Sequence, residues 1–159
     1  MDTITRRTDM SRRIILGSAA ALVIVGGAGA FAVSYAGDQP PTLNHSTARY
    51  TAPAGDRKGS FTFTTDVKAA SGVKSLKVLA WPADGPFAKT PLTEKELAAA
   101  ESATCKPAGE DTAHCTYRVT VTAAEAAESG TGLWHVATLA TAKNGDTAFA
   151  DKTATFTVG

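Results

Sequence analysis

Cys105 and Cys115 are the only cysteines of the chain, ten positions apart. In an exported protein an even pair of cysteines reads as a disulfide. The intervening Lys106 to His114 is polar and contains Pro107 and Gly109, which suits a loop tied at its base. Two free thiols, or a metal pair with His114, are the alternatives. The histidines are His45, His114 and His135. Zinc sites use ligands at close, recurring spacings. His114 adjoins Cys115, so on a strand the two side chains point to opposite faces, and no metal ligand is assigned. Asp66 and Asp146 are isolated aspartates without the dense acidic spacing of a strong calcium site.

Catalysis calls for a nucleophile, a base and a group that orients the base. No serine lies in Gly-x-Ser-x-Gly, no His-Glu-x-x-His occurs, and no glycine-rich phosphate loop follows a strand. Glu94, Glu96 and Glu101 share a helical neighbourhood and read as a solvated face rather than a carboxylate pair. The residues therefore assign no catalytic group and no cofactor. Recognition by aromatic side chains has four candidates, Trp81, Trp134, Tyr50 and Tyr117. Trp134 is in phase with Val136 and reads as core. Trp81 ends an alternating stretch before Pro82 and the loop Gly85-Pro86-Phe87, so if any aromatic is exposed for recognition, Trp81 or Phe87 is the candidate.

The first 36 residues differ from the rest. Four arginines (Arg6, Arg7, Arg12, Arg13) precede an uncharged run from Ile14 to Gly37. A basic start, an apolar stretch and small residues near its end mark an export signal. Ser11-Arg12-Arg13-Ile14-Ile15-Leu16 resembles the twin-arginine export pattern; the general secretory route is the alternative. Cleavage after Ala36 competes with cleavage after Ala30 and with an uncleaved anchor, since Ile14 to Ala36 is long enough to span a bilayer as a helix. Of 16 Lys and Arg, four lie in this leader, and of 15 Asp and Glu, two do. That leaves 12 cations against 13 anions in residues 37–159. A near-neutral domain gives no electrostatic reason to bind nucleic acid, and membrane contact is expected only through an uncleaved leader.

Residues 37–44, with Pro40-Pro41, read as a linker. From residue 45 to 159 the apolar positions alternate with period two. Phe61 and Phe63 share a face, as do Leu76, Val78 and Ala80, with Leu79 and Trp81 on a second, covered face. Cys115 to Val121 places its odd positions inward. Trp134, Val136 and Ala140 share a face, and so do Ala154, Phe156 and Val158. A weaker first strand spans Thr47 to Thr51, and a short one near Ala103–Cys105 is expected because the cystine needs it beside Cys115. About seven antiparallel strands result, since continuous apolar runs would mark a buried parallel sheet instead. Asn144-Gly145 reads as a hairpin turn with both residues at positive φ. Two short helices carry capping boxes. Thr93 with Glu96, stapled by Leu92 and Leu97, starts one that continues through Ala98–Ala100. Thr122 with Glu125 starts the other, which stops near Ser129-Gly130.

Gly132-Leu133-Trp134-His135-Val136-Ala137-Thr138-Leu139-Ala140-Thr141, then Ala142 to Asp146 and Ala154-Thr155-Phe156-Thr157-Val158, resembles the last hairpin of bacterial immunoglobulin-like domains. Asp66 with Ser71-Gly72-Val73 and Leu76-Lys77-Val78 is similar to the loop entering their third strand. Leu76 to Pro82, Ser102 to Cys105 and Cys115-Thr116-Tyr117 further resemble a family of small exported actinobacterial proteins of unknown function. The resemblance implies an all-β, immunoglobulin-like sandwich and export, and it brings no activity. The cystine differs from that of antibody domains, where it joins two sheets across a core tryptophan. The expectation is an exported, non-catalytic module that binds a protein or a glycan at the cell envelope or in the medium. The alternatives are a secreted inhibitor of an extracellular hydrolase that presents loop 105–115, and, last, a small hydrolase.

Overall fold

Threonine and valine, branched at Cβ, favour extended backbone, and their alternation with apolar residues builds eight strands among the described residues. The computed structural model describes residues 39–159. The expected leader and the start of the linker lie outside the described residues. The strands are β1 (Thr42–Thr51), β2 (Gly59–Lys68), β3 (Val73–Pro82), β4 (Glu101–Ser102), β5 (Thr104–Pro107), β6 (Thr112–Val121), β7 (Gly132–Ala142) and β8 (Thr147–Val158). They form two antiparallel four-stranded sheets, ordered β1-β2-β6-β5 and β4-β3-β7-β8. β1 begins at Thr42, inside the stretch expected as linker, because Thr42, Leu43 and Asn44 already pair with Lys68, Val67 and Asp66.

One apolar cluster lies between the sheets. Phe61, Phe63 and Val67 of β2 meet Leu76 and Val78 of β3, Trp134 and Val136 of β7, and Phe156 and Val158 of β8. The Phe61 and Phe156 rings, one from each sheet, lie 4.8 Å apart, and Trp134 stacks on Phe156 at 6.1 Å. This all-β sandwich is the architecture that the alternation implies. The odd positions of β6 point inward as expected, although Val119 is only half-buried.

Eight strands replace the expected seven because the stretch near Ala103–Cys105 is two strands in two different sheets. β4 pairs with β3, and β5 pairs with β6. Between them Ala103 donates its N–H to the Leu76 carbonyl at 2.8 Å. Tyr117 braces the crossing, its hydroxyl donating to the Glu101 carboxylate at 2.6 Å. Cys105 and Cys115 are direct cross-strand partners and form a disulfide with Cα atoms 4.0 Å apart. The tied segment is therefore mostly paired hairpin, and only Ala108–Asp111 leaves the ladder.

A second apolar cluster covers the outer face of the β4-β3-β7-β8 sheet. The connection from β3 to β4 contains a 3-10 turn (Pro86–Ala88) and helix α1 (Glu94–Ala98). It lays Leu92 and Leu97 on Trp81, Ala137 and Leu139. Thr93 caps α1 with both halves of the expected capping box. The helix stops at Ala98, short of Ala100, so Leu97 is its one fully buried side chain. Helix α2 (Ala123–Glu128) has its box at Thr122 and Glu125, and Gly130 follows at φ 71°. At the β7–β8 turn only Gly145 takes positive φ, at 97°. Asn144 stays in the ordinary region because its side-chain carbonyl accepts from the Asp146 N–H, an Asx arrangement that removes the need for a mirror-image turn.

Two outcomes follow. Replacing both cysteines by serine is expected to lower stability by about 2–3 kcal/mol for so short a loop, read as a lower urea midpoint with unchanged secondary structure. Leu97→Ala is expected to cost about 2–5 kcal/mol and to expose Trp81 to a soluble fluorescence quencher.

Candidate functional site

The two outer faces of the sandwich differ. One lies under the β3–β4 connection. The other, on β1-β2-β6-β5, carries no apolar cluster among the described residues, and its outward positions form polar rows across the strands. Asn44, Asp66, His114 and Lys106 make one row. Thr47, Thr64, Thr116 and Thr104 make the next, spanning all four strands. Arg49, Thr62 and Arg118 follow, then Thr51, Ser60 and Thr120. Thr42, Lys68 and Thr112 close the opposite end. No apolar side chain interrupts these rows. The hydroxyls of Thr47 and Thr64 lie 2.7 Å apart, a cross-strand pair that keeps the row in place.

A bulge in β1 shapes one end of the face. Asn44 pairs with Asp66 and Thr47 with Thr64, so His45 and Ser46 together oppose Thr65. His45 takes φ 54°, the one positive φ of a non-glycine residue among those described. A bulge of this kind ordinarily places glycine there. The extra residue turns Ser46 inward, where its hydroxyl meets that of buried Thr65 at 2.8 Å. It also sends His45 outward toward Asp66. His45 Nδ1 donates to one Asp66 oxygen at 3.1 Å, and His114 Nδ1 donates to the other at 2.7 Å. The hydrogen bond from His114 holds the Asp66 carboxyl below its ordinary value, with His45 adding to the effect and partial burial opposing it. This is a carboxylate bridging two exposed imidazoles. Among the described residues no group of three or more His, Cys, Asp or Glu side chains is arranged to hold a metal ion.

His135 stands apart, on the outer face of the other sheet. Its ring lies 4.6 Å from that of Trp81. Burial, then the charge of Lys152, pushes it toward the neutral form, with Asp151 opposing. Asp146 accepts from the Asn144 side chain at the β7–β8 turn.

Trp81 is not the exposed aromatic that its place before Pro82 suggests. Only 3% of it is accessible, and its indole N–H donates to the Asp151 carbonyl at 3.0 Å. The reason is tertiary. β8 bulges opposite Ala137, with Val136 paired to Ala154 but Thr138 to Ala150, and that bulge frees the carbonyl that Trp81 uses. Phe87 is half-buried, edge-on to Trp81 at 6.2 Å. The two aromatics thus come together as part of the second cluster rather than as a platform. Cys105 and Cys115 are brought together as expected, on the inner side of the polar face. The polar rows escaped the sequence reading because they depend on pairing between strands up to 60 residues apart. The one legible signal was the outward threonine alternation of β2 and β6.

The Asp66 carboxyl has a lowered folded-state pKa, so its contribution to stability is complete above the usual carboxylate range. That contribution is lost as pH falls through the lower folded value. Asp66→Asn is therefore expected to lose less stability than the parent chain between pH 5 and about pH 2, measured as urea midpoints across pH. The difference is expected to stay below about 1 kcal/mol, as for other exposed ion pairs.

No curated protein and no solved structure matches the chain significantly. A family model described as "Family of unknown function (DUF5707)" matches residues 43–140. The match runs from β1 into β7, and so takes in the cystine, both arginines of the polar face and the His45–Asp66–His114 bridge, while β8 lies beyond it. The chain belongs to this family, DUF5707.

Proposed function

We propose that the chain is an exported, non-catalytic module of immunoglobulin-like topology that binds a protein or a glycan at the cell envelope or in the medium. The strand order supports the topology. β1-β2-β6-β5 corresponds to strands A, B, E and D of such domains, and β4-β3-β7-β8 to C′, C, F and G. The disulfide supports an oxidising, extracytoplasmic setting. The leader, with Arg12-Arg13 before its apolar run, supplies the route there, by twin-arginine or general secretory export.

The observation that carries the binding reading is the asymmetry of the two outer faces. A sandwich needs one inner face per sheet for stability. Here one outer face has acquired an apolar cover, and the other keeps ordered polar rows on rigid strands, which suits recognition. A second reading is an inhibitor of an extracellular hydrolase. Its support is the bracing of the hairpin tip Ala108–Asp111. The cystine ties the hairpin, and the Ala69 N–H donates to the Asp111 carbonyl at 2.8 Å. Bracing lowers the ordering cost of a presented loop.

The exported chain, purified and immobilised, is expected to be retained on isolated cell-wall material or to capture a partner from culture medium, and to turn over no member of an ester and peptide panel. Enrichment of a single hydrolase from the medium selects the inhibitor reading. Turnover of the panel overturns both.

A further inference from the structure

The charges of the described domain are unevenly placed. The uncovered face carries Arg49, Lys68, Lys106 and Arg118 on its strands against Asp66 alone, and Asp66 is already engaged by two histidines. Lys68 lies 3.7 Å from Asp111 at the edge. Among the described residues Arg49 and Arg118 are exposed and form no ion pair. They flank Thr62 in one row, two strands apart, which sets their backbones about 10 Å from each other. Two unpaired guanidiniums facing the same solvent layer repel one another. An anion between them removes that repulsion and gains charge-assisted hydrogen bonds.

We propose that this face binds an anionic polysaccharide. Its carboxylate or phosphate groups would lie on Arg49 and Arg118 and its hydroxyls on the adjacent threonine row, Thr47–Thr64–Thr116–Thr104. This rests on the binding-module reading and names its ligand class. The chemistry of the face selects among polyanions. Single-stranded nucleic acid is held by aromatic stacking platforms, and no aromatic stands in these rows. A bilayer surface takes inserted apolar side chains, and none is present. A protein partner wants an apolar or aromatic centre, and the centre here is a line of hydroxyls. Three ten-residue strands, about 33 Å long and about 10 Å across, widened by β5 beside the threonine row, suit an extended polar chain.

The test uses the exported chain with polygalacturonate as the anionic probe, neutral dextran as the uncharged one and single-stranded DNA as the competing polyanion, by titration calorimetry. The parent is expected to bind polygalacturonate, with affinity falling as salt rises, and to bind dextran and DNA at least about tenfold more weakly. R49Q/R118Q is expected to lose about tenfold or more. R49K/R118K is expected to recover part of that loss, and K74Q/K77Q, on the other sheet, to match the parent. Thermal melts of all variants check that the exposed substitutions leave folding intact. Failure of the parent to bind polygalacturonate, equal binding by R49Q/R118Q and the parent, or an equal loss in K74Q/K77Q overturns the proposal, as does tighter binding of DNA. If R49Q/R118Q is still retained on cell-wall material as well as the parent, this ligand assignment fails while the binding-module reading stands. If the parent is retained on nothing, both fail.

Discussion

Ten consecutive residues of β2 pair with ten of β6 without a bulge, and the register of that ladder governs both sides of its sheet. Side chains alternate across a strand, so a slip by one position would send Phe61, Phe63 and Val67 to solvent and bring Thr62, Thr64 and Asp66 into the interior. Burying those apolar side chains against Phe156 and Trp134 of the other sheet resists the slip, each being worth about 1.5–3 kcal/mol. The polar rows are the other side of the same constraint. Once the inner face is locked, Thr64 must stand beside Thr116, Thr62 beside Arg118 and Asp66 beside His114.

The edges of this sheet are held by different means. β5 is only four residues long and follows directly on the crossing from the other sheet, so few ladder bonds secure it. The cystine between Cys105 and Cys115 makes the attachment covalent and carries Thr104 and Lys106 into the rows. β1 is held by a longer ladder, but its bulge re-aims one residue. His45 accepts an unfavourable left-handed backbone, which costs a non-glycine residue about 1–2 kcal/mol, and in exchange reaches Asp66 while Ser46 satisfies Thr65 inside. The bulge in β8 does comparable work on the opposite sheet, where it hands a carbonyl to Trp81.

The covered and uncovered outer faces follow from side-chain chemistry at the same strand parity. On β3 and β7 the outward positions include Leu79, Trp81, Ala137 and Leu139, which need burial, and the β3–β4 connection supplies it with Leu92 and Leu97. A five-residue helix such as α1 has no stability of its own in water. It persists because its cap satisfies the first turn and Leu97 seats in that cluster. On β2 and β6 the outward positions are hydroxyls, carboxylate, imidazole, guanidinium and the Lys68 ammonium. They need no cover, and they leave a rigid surface open to a polar ligand.

Local rules were legible wherever a signal sits within a few residues. Alternation named the strands of the core, from Phe61 and Phe63 to Phe156 and Val158. Both capping boxes stood in the sequence because a cap and its partner are three positions apart. The cystine was legible because the sequence holds just two cysteines, ten positions apart around a polar stretch with Pro107 and Gly109. Two things were decided by tertiary structure. Trp81 was covered by Leu92 and Leu97 and given a carbonyl 70 residues away, and His45, Asp66 and His114 were assembled from three strands. Pairing between distant strands depends on register, and register is chosen by the sum of many inner-face contacts. No short stretch of sequence contains that sum.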